Sequence, residues 1–347
     1  MVPPDDTHPN YARLIEAARS AGPVRVAVAH PCERHAIESA LDAARLGLIH
    51  PILVGPRARI ERAASAAGLD IAALPLEDTE HSHASAARAV ELVRQGRADA
   101  IMKGSLHTDE LMGAVVNSAT GLRTGRRLSH CFVMEVPGHE SPLIITDAAI
   151  NIIPSLADKV DIVQNAIDLA RVLQFGEVRV AILAAVETVS PKMPSTIDAA
   201  ALCKMADRGQ ITGGVLDGPL AMDNAIDPEA AAIKKIVSPV AGRANVLVAP
   251  DLEAGNMLAK SLTFMAGAAS AGIVLGARVP LILTSRADSV ASRLASCAVA
   301  ALLAHHKLAS APVEGLAWKP PTISRFSIPV RPVSNSRCSV APGWRRC

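Results

Sequence analysis

The stretch VRVAVAHPCERHAIESALDAARLGLIHPILVG, residues 24–55, decides the architecture. Val24 to Ala29 is a β-branched, uncharged-faced run that predicts a strand. Glu33 to Leu46 repeats apolar residues at helical spacing, with Ile37, Ala40, Leu41 and Ala44 on one stripe. Pro51 to Val54 predicts the next strand, ended by Gly55-Pro56. Strand, helix and strand within 32 residues, too far apart for a hairpin, read as a parallel crossover unit.

The same alternation continues outward. Helices are predicted over 57–67, 83–95 and 108–118, the last with Thr108 as N-cap, and a strand over 98–102. A strand pair follows near 129–136 and 143–146, then a helix over 156–173, a strand over 178–186 and a helix over 196–206. Short strands at 213–216 and 245–249, a helix at 255–269, a strand at 279–284 and a helix at 290–304 complete the pattern. This predicts an α/β fold with mostly parallel strands, whose ligands sit beyond the strands' carboxyl ends. About 300 ordered residues exceed one comfortable core, so a two-domain α/β/α arrangement with an interdomain cleft is expected.

Composition narrows the function. The chain has 347 residues, half of them hydrophobic, and only seven are aromatic. Stacking platforms for bases are therefore excluded as a working principle. From Lys307 onward the chain holds seven Lys or Arg and one acid; the body before it holds 28 basic and 32 acidic residues, a net −4. Basicity thus belongs to a tail with six prolines, read as irregular, and argues for no nucleic-acid partner. The longest uncharged run, 261–277, is Gly- and Ala-rich and short for a membrane span, so it reads as a helix running into a strand. No leader pattern follows Met1, and the six cysteines form no C-x-x-C pair, which points to a reduced, cytoplasmic chain.

Four segments carry candidate chemistry. Lys103-Gly104-Ser105 joins a strand to a helix N-terminus, where free N–H groups and an ammonium suit a phosphate; a well-capped turn is the plain alternative. Asp217-Gly218-Pro219 reads as a turn. Arg243 precedes a short strand, and Asp251, Glu253 and Asn256 follow it; capping of the next helix is again the plain alternative. Thr284-Ser285-Arg286-Ala287-Asp288 ends an apolar strand with a hydroxyl, a guanidinium and a carboxylate. There, a cap by Ser285 or Asp288 is the alternative. His30-x-Cys32-x-x-His35 and His81-x-His83 lack a second pair at zinc spacing, so no metal site is assigned. Neither Gly-x-Gly-x-x-Gly nor Gly-x-Ser-x-Gly occurs.

At these segments the chain resembles the phosphate acetyl/butyryl transferase family. The resemblance is carried by MKGSLHTDELM (102–112), LDGPLAMDNAI (216–226), SPVAGRANVLVAPDLEAGNMLAKSL (238–262) and LTSRADSVASRLAS (283–296), and it spans about residues 20–306. It implies a fold similar to isocitrate and isopropylmalate dehydrogenases. One domain would comprise 1–142 with 278–306, and the other 143–277, through which family members usually dimerise. It also implies reversible acyl transfer between coenzyme A and phosphate, with coenzyme A as substrate and no resident cofactor. Ser285 and Arg286 match the family's Ser-Arg pair as catalytic residues, and Lys103, Gly104, Ser105, Thr108, Arg243, Asp251, Glu253 and Asn256 fall in its substrate-binding motifs.

Two positions depart from the acetyltransferase branch. Its catalytic Asp lies seven residues after the Ser, where this chain has Ser292, so Asp288, one helical turn earlier, is the candidate base. Its substrate-binding Arg is replaced by Met112, with Arg123, Arg126 and Arg127 nearby, and a more apolar site suits a longer acyl chain. Two other readings stand beside this one. A metal-dependent NAD(P) dehydrogenase of similar fold would need an Asp cluster and a nicotinamide site. A non-catalytic relative would bind CoA or acyl phosphate without turnover.

Overall fold

A computed structural model describes residues 8–284 and 288–310. Its strands are β1 (Val24–Ala29), β2 (Ile49–Gly55), β3 (Leu76–Asp78), β4 (Ala100–Lys103), β5 (Ser129–Glu135), β6 (Leu143–Thr146), β7 (Arg179–Leu183), β8 (Val215–Leu220), β9 (Val246–Val248), β10 (Ala269–Leu275) and β11 (Leu281–Ile282). Its helices are α1 (Pro9–Ala21), α2 (Arg34–Arg45), α3 (Arg57–Ala66), α4 (Ser82–Arg94), α5 (Thr108–Val116), α6 (Leu156–Val172), α7 (Pro194–Asp207), α8 (Met222–Ile226), α9 (Pro228–Ile233), α10 (Leu252–Met265) and α11 (Val290–Ser310). The described residues group into one compact unit.

All strands join one sheet in the order β3-β2-β1-β4-β11-β10-β5-β6-β9-β7-β8. The two flanks are parallel. In the middle, β10 pairs antiparallel with both β11 and β5, and β5 antiparallel with β6. Strand direction therefore reverses across the centre: β4 and β11 point one way, β6 and β9 the other. The expected crossover unit is present, with Val24 opposite Ile49 and Ala29 opposite Val54. β1 is buried at every position but Arg25, as a strand covered on both faces must be.

The two faces of the sheet are covered differently. One face carries a single apolar cluster along its whole width, from Val26 and Met102 through Cys131 and Ile273 to Ile144, Val180 and Val246, under α1, α2, α3, α6, α7 and α11. The other face carries two separate clusters. Ala27, Ile101 and Leu281 pack under α4 and α5, while Ile145, Ala181 and Leu247 pack under α8, α9 and α10. The division falls at the central strands: Leu281 of β11 and Val274 of β10 belong to the first cluster, and Met134 of β5 to the second.

Several expectations change. LDGPL is not a turn: Asp217 to Leu220 belong to edge strand β8, with a cis Gly218–Pro219 bond. An edge strand tolerates a residue with no N–H, and the pairing shifts register there, between Ala181 and Leu183. Ala43 rather than Ala44 completes the buried face of α2. The uncharged run 261–277 divides into the end of α10 and strand β10, and no helix among the described residues is long and apolar enough to cross a membrane. Lys307 does not open an irregular tail, because α11 continues through Ser310. The remaining tail lies outside the described residues.

Candidate functional site

The carboxyl ends of the parallel strands β1, β4 and β11 build one side of the site. Gly104 passes so close to β1 that a Cβ there would stand 2.4 Å from the Ala29 carbonyl oxygen and 2.7 Å from that of His30. Its N–H donates to Ala29 O (2.9 Å), and the Ser105 N–H to His30 O (2.9 Å). The loop then turns outward. Lys103 Nζ donates to the carbonyls of Gly104 (3.3 Å) and Leu106 (3.2 Å), which holds its ammonium over the loop it begins. His107, not Thr108, occupies the N-cap position of α5; Thr108 is its first, half-buried residue. Glu110 accepts the His107 N–H (2.9 Å) and the Ser82 hydroxyl (2.7 Å), and the latter bond is the main cause of its lowered pKa. Lys103, Gly104 and Ser105 line a small cavity together with Thr284, Arg293 and the start of α2 at Glu33 and His35.

Ser285 and Arg286 lie outside the described residues. Beyond them, the Asp288 carbonyl accepts from Arg293 Nη1 (2.6 Å). Burial is the main cause of the raised pKa of Tyr11, with the charges of Glu135 and then Asp288 adding to it. At the start of α11 the Ser289 hydroxyl accepts the Ser292 N–H (3.1 Å). Ser292, standing where an acid was expected, is buried against β10 and accepts from Ser270 N–H (3.4 Å).

The carboxyl ends of β6 and β9 form a second group. Asp251 caps α10, its Oδ1 accepting the Ala254 N–H (2.9 Å). Glu253 is exposed in the first turn. Asn256 Nδ2 donates to Ala148 O (3.0 Å), and a Cβ on Gly255 would stand 2.4 Å from Asp147 O. The start of α10 is thus pressed onto the turn after β6. Arg243 does not join this group: it is exposed in a turn at the amino end of β9, its N–H bonded to Val240 O (3.0 Å). Arg126 and Arg127 do not replace the guanidinium missing at Met112 either, since Arg126 pairs with Asp168 and Arg127 with Asp158, both acids of α6.

The structure adds residues that the sequence did not single out. Asp147 is buried and accepts the N–H groups of Ala149 (2.9 Å), Ile150 (3.1 Å) and Asn151 (3.1 Å), plus Asn151 Nδ2 (2.5 Å). The signal available was a β-branched strand ending in Asp, with Asn four residues on. His130 lies on the central strip of the split face. Its ring meets Phe132 edge-on at 4.4 Å, and Nδ1 is buried without a hydrogen-bond partner among the described residues. A Cβ on Gly272 would stand 3.2 Å from His130 Nε2 and 2.5 Å from Leu283 O. His130 is thus placed between the end of β11 and Asp147. Burial lowers its pKa to about 4, against the opposing pull of the Asp147 charge. A neutral imidazole is the result.

The two groups of strand ends therefore flank the central strip from opposite edges, because strand direction reverses between them. No cluster of three or more His, Cys, Asp or Glu among the described residues is placed to hold a metal ion.

Known proteins resemble this chain in sequence and fold. Residues 79–301 match the family described as phosphate acetyl/butaryl transferase. A phosphate acetyltransferase of Rhizobium meliloti is 65% identical over 300 residues, covering 86% of this chain and 95% of that protein. A phosphate butyryltransferase of Clostridium acetobutylicum is 40% identical, covering 86% and 99%. Among solved structures, a branched-chain phosphotransacylase from Enterococcus faecalis aligns with a TM-score of 0.72 at 30% identity, over 81% of this chain and 99% of that one. A 4-hydroxythreonine-4-phosphate dehydrogenase from Klebsiella pneumoniae aligns at 0.50 with 14% identity, over 82% and 99%, a likeness of fold alone. With the family model matching residues 79–301 and this identity running through nearly the whole of its relatives, the chain belongs to the phosphate acetyl/butyryl transferase family.

Proposed function

We propose that the protein transfers an acyl group reversibly between coenzyme A and inorganic phosphate in a ternary complex. The observation that supports this most is the gathering of the Lys103–Ser105 loop, the end of β11 and the start of α10 around one strip of sheet. In the direction that consumes acyl phosphate, the CoA sulfur bonds to the acyl carbon. The acyl–oxygen bond to phosphate breaks, phosphate leaves, and the thiol proton passes to a base. A thiol of pKa about 8.5 needs little help to ionise, and proximity in one cleft supplies much of the rest.

In this reading Ser285 and Arg286 bind the phosphate and steady the tetrahedral oxyanion. Asp288 is the base by position. Lys103, Gly104, Ser105 and Thr108 hold one substrate from the β4 side, and Asp251, Glu253 and Asn256 support the other from the β9 side, with Arg243 farther out. Acetyl is the first choice of acyl group, from the similarity to the Rhizobium protein; butyryl is the second, from Met112 standing in place of an Arg. Among the described residues no cluster of acids supports the dehydrogenase reading.

The split face supports a cleft between two lobes, 1–142 with 278–306 and 143–277, in the manner of the dehydrogenase-like fold. A homodimer through the second lobe is supported by exposed apolar side chains: Met257, Phe264 and Met265 share one face of α10, near in sequence order to exposed Ile233 and Val237. Free thiols at Cys32, Cys131, Cys203 and Cys297 support a cytoplasmic setting.

The test is thioester formation from CoA with acetyl, propionyl and butyryl phosphate. Turnover with at least one is expected, and acetyl phosphate is expected to be best. CoA binding without turnover on any of them would instead show a non-catalytic relative.

A further inference from the structure

On the face opposite the cleft, a cavity of about 660 Å³ opens between α6, the last turns of α11 and the turn after β10. That size is typical of small-molecule sites. Leu169, Val172, Leu275 and Leu303 give it an apolar floor. Its rim is cationic: Arg126, Arg171 and Lys307 face a single carboxylate, Asp168.

That carboxylate is already taken. Asp168 pairs with Arg126, and its other oxygen accepts from Gln164 Nε2 (3.0 Å). The Arg171 guanidinium lies along Gly213, 3.1 Å from where a Cβ would stand, and has no ion pair or hydrogen bond among the described residues. Lys307 Nζ donates to the carbonyls of Ala277 (2.8 Å) and Arg278 (3.3 Å). Burial and the nearby Arg126 charge lower its pKa, and Asp168 offsets this only in part. Among the described residues the pocket is thus an apolar floor under excess positive charge.

We propose that this pocket is a binding site for a short-chain carboxylate, with the anion at the Arg171 and Lys307 rim and the alkyl chain on the leucine floor. A dianion with no apolar body would leave the floor wet, and an uncharged alkane would leave the cations unmatched. The site stands whether or not the acyltransfer reading holds. If that reading holds, the ligand class is the one produced when an acyl phosphate loses its phosphoryl group.

Titration calorimetry of the full chain with hexanoate, in buffer free of phosphate, tests it. Saturable binding is expected, with acetate weaker and hexyltrimethylammonium inert. Arg171→Glu is expected to weaken hexanoate by at least about tenfold, and Lys307→Met less, while both variants keep wild-type melting and thioester formation. Equal affinity in wild type and Arg171→Glu overturns the proposal. So does the absence of saturable binding, or hexanoate that is displaced competitively by acyl phosphate, since the carboxylate would then occupy the cleft.

Discussion

Acid should destabilise this protein through one imidazole. His130 is buried on β5, and burial holds its pKa at about 4 instead of the ordinary 6.5. The unfolded chain protonates this group first. Between about pH 6.5 and about pH 4 the unfolded state binds more protons than the native state, so stability falls with falling pH. Above that window the imidazole is neutral in both states and contributes no pH dependence; below it both are charged and the penalty is complete. The shift of about 2.5 units, at about 1.4 kcal/mol each, amounts to about 3 kcal/mol. Carboxylates titrate in the same range, so the assay is a difference. Urea unfolding of wild type and His130→Gln is followed at about pH 7 and at about pH 4.5, where most of the His130 term is already lost. The variant has no imidazole to charge, and its stability should fall by about 2–3 kcal/mol less than that of wild type over this interval. Identical losses in the two proteins refute the argument, and they would mean that the ring is charged, or solvated, in the native fold.

Gly104→Ala would drive a methyl group against the Ala29 and His30 carbonyls and push the 103–106 loop off β1. Thioester formation should fall at least about tenfold, with a loss of about 1–3 kcal/mol in melting experiments. Asp198→Ala would strand the buried Lys159 ammonium, which it holds at 2.7 Å. Because Asp198 keeps some solvent contact, the expected cost is about 2 kcal/mol, and the double change Lys159→Met with Asp198→Ala should recover most of it in urea unfolding. Arg286→Ala should cut acyl transfer about a hundredfold without changing the melting temperature, as removal of an oxyanion-stabilising donor does; wild-type turnover in that variant would remove Arg286 from the site.

The parallel flanks were legible because their strands are buried on both faces and read as plain runs such as VRVAVA and HPILVG. The central reversal was not. β10 and β5 are as apolar as their parallel neighbours, so composition says nothing of direction. Short elements also escaped: β3, α8 and α9 have six residues or fewer, too few to show a period, and α1 lies under an ordinary mixed sequence. In the site, glycines spoke clearly. Gly104 and Gly255 both mark places where backbone presses on backbone, and both fall in segments singled out from sequence. His130 did not speak, since a histidine inside SHCFVME looks like one more strand residue until the split face is seen. Arg126 was misplaced for a related reason: proximity in sequence to Met112 does not reveal which side of the sheet a loop serves.

The unequal covering of the two faces has a consequence for how the molecule comes apart. One side carries two separate apolar clusters, while the other is sealed by a single apolar layer drawing on residues from Tyr11 to Ala304. Neither flank of the sheet can melt without exposing that shared layer, so unfolding of the described residues should be one cooperative event.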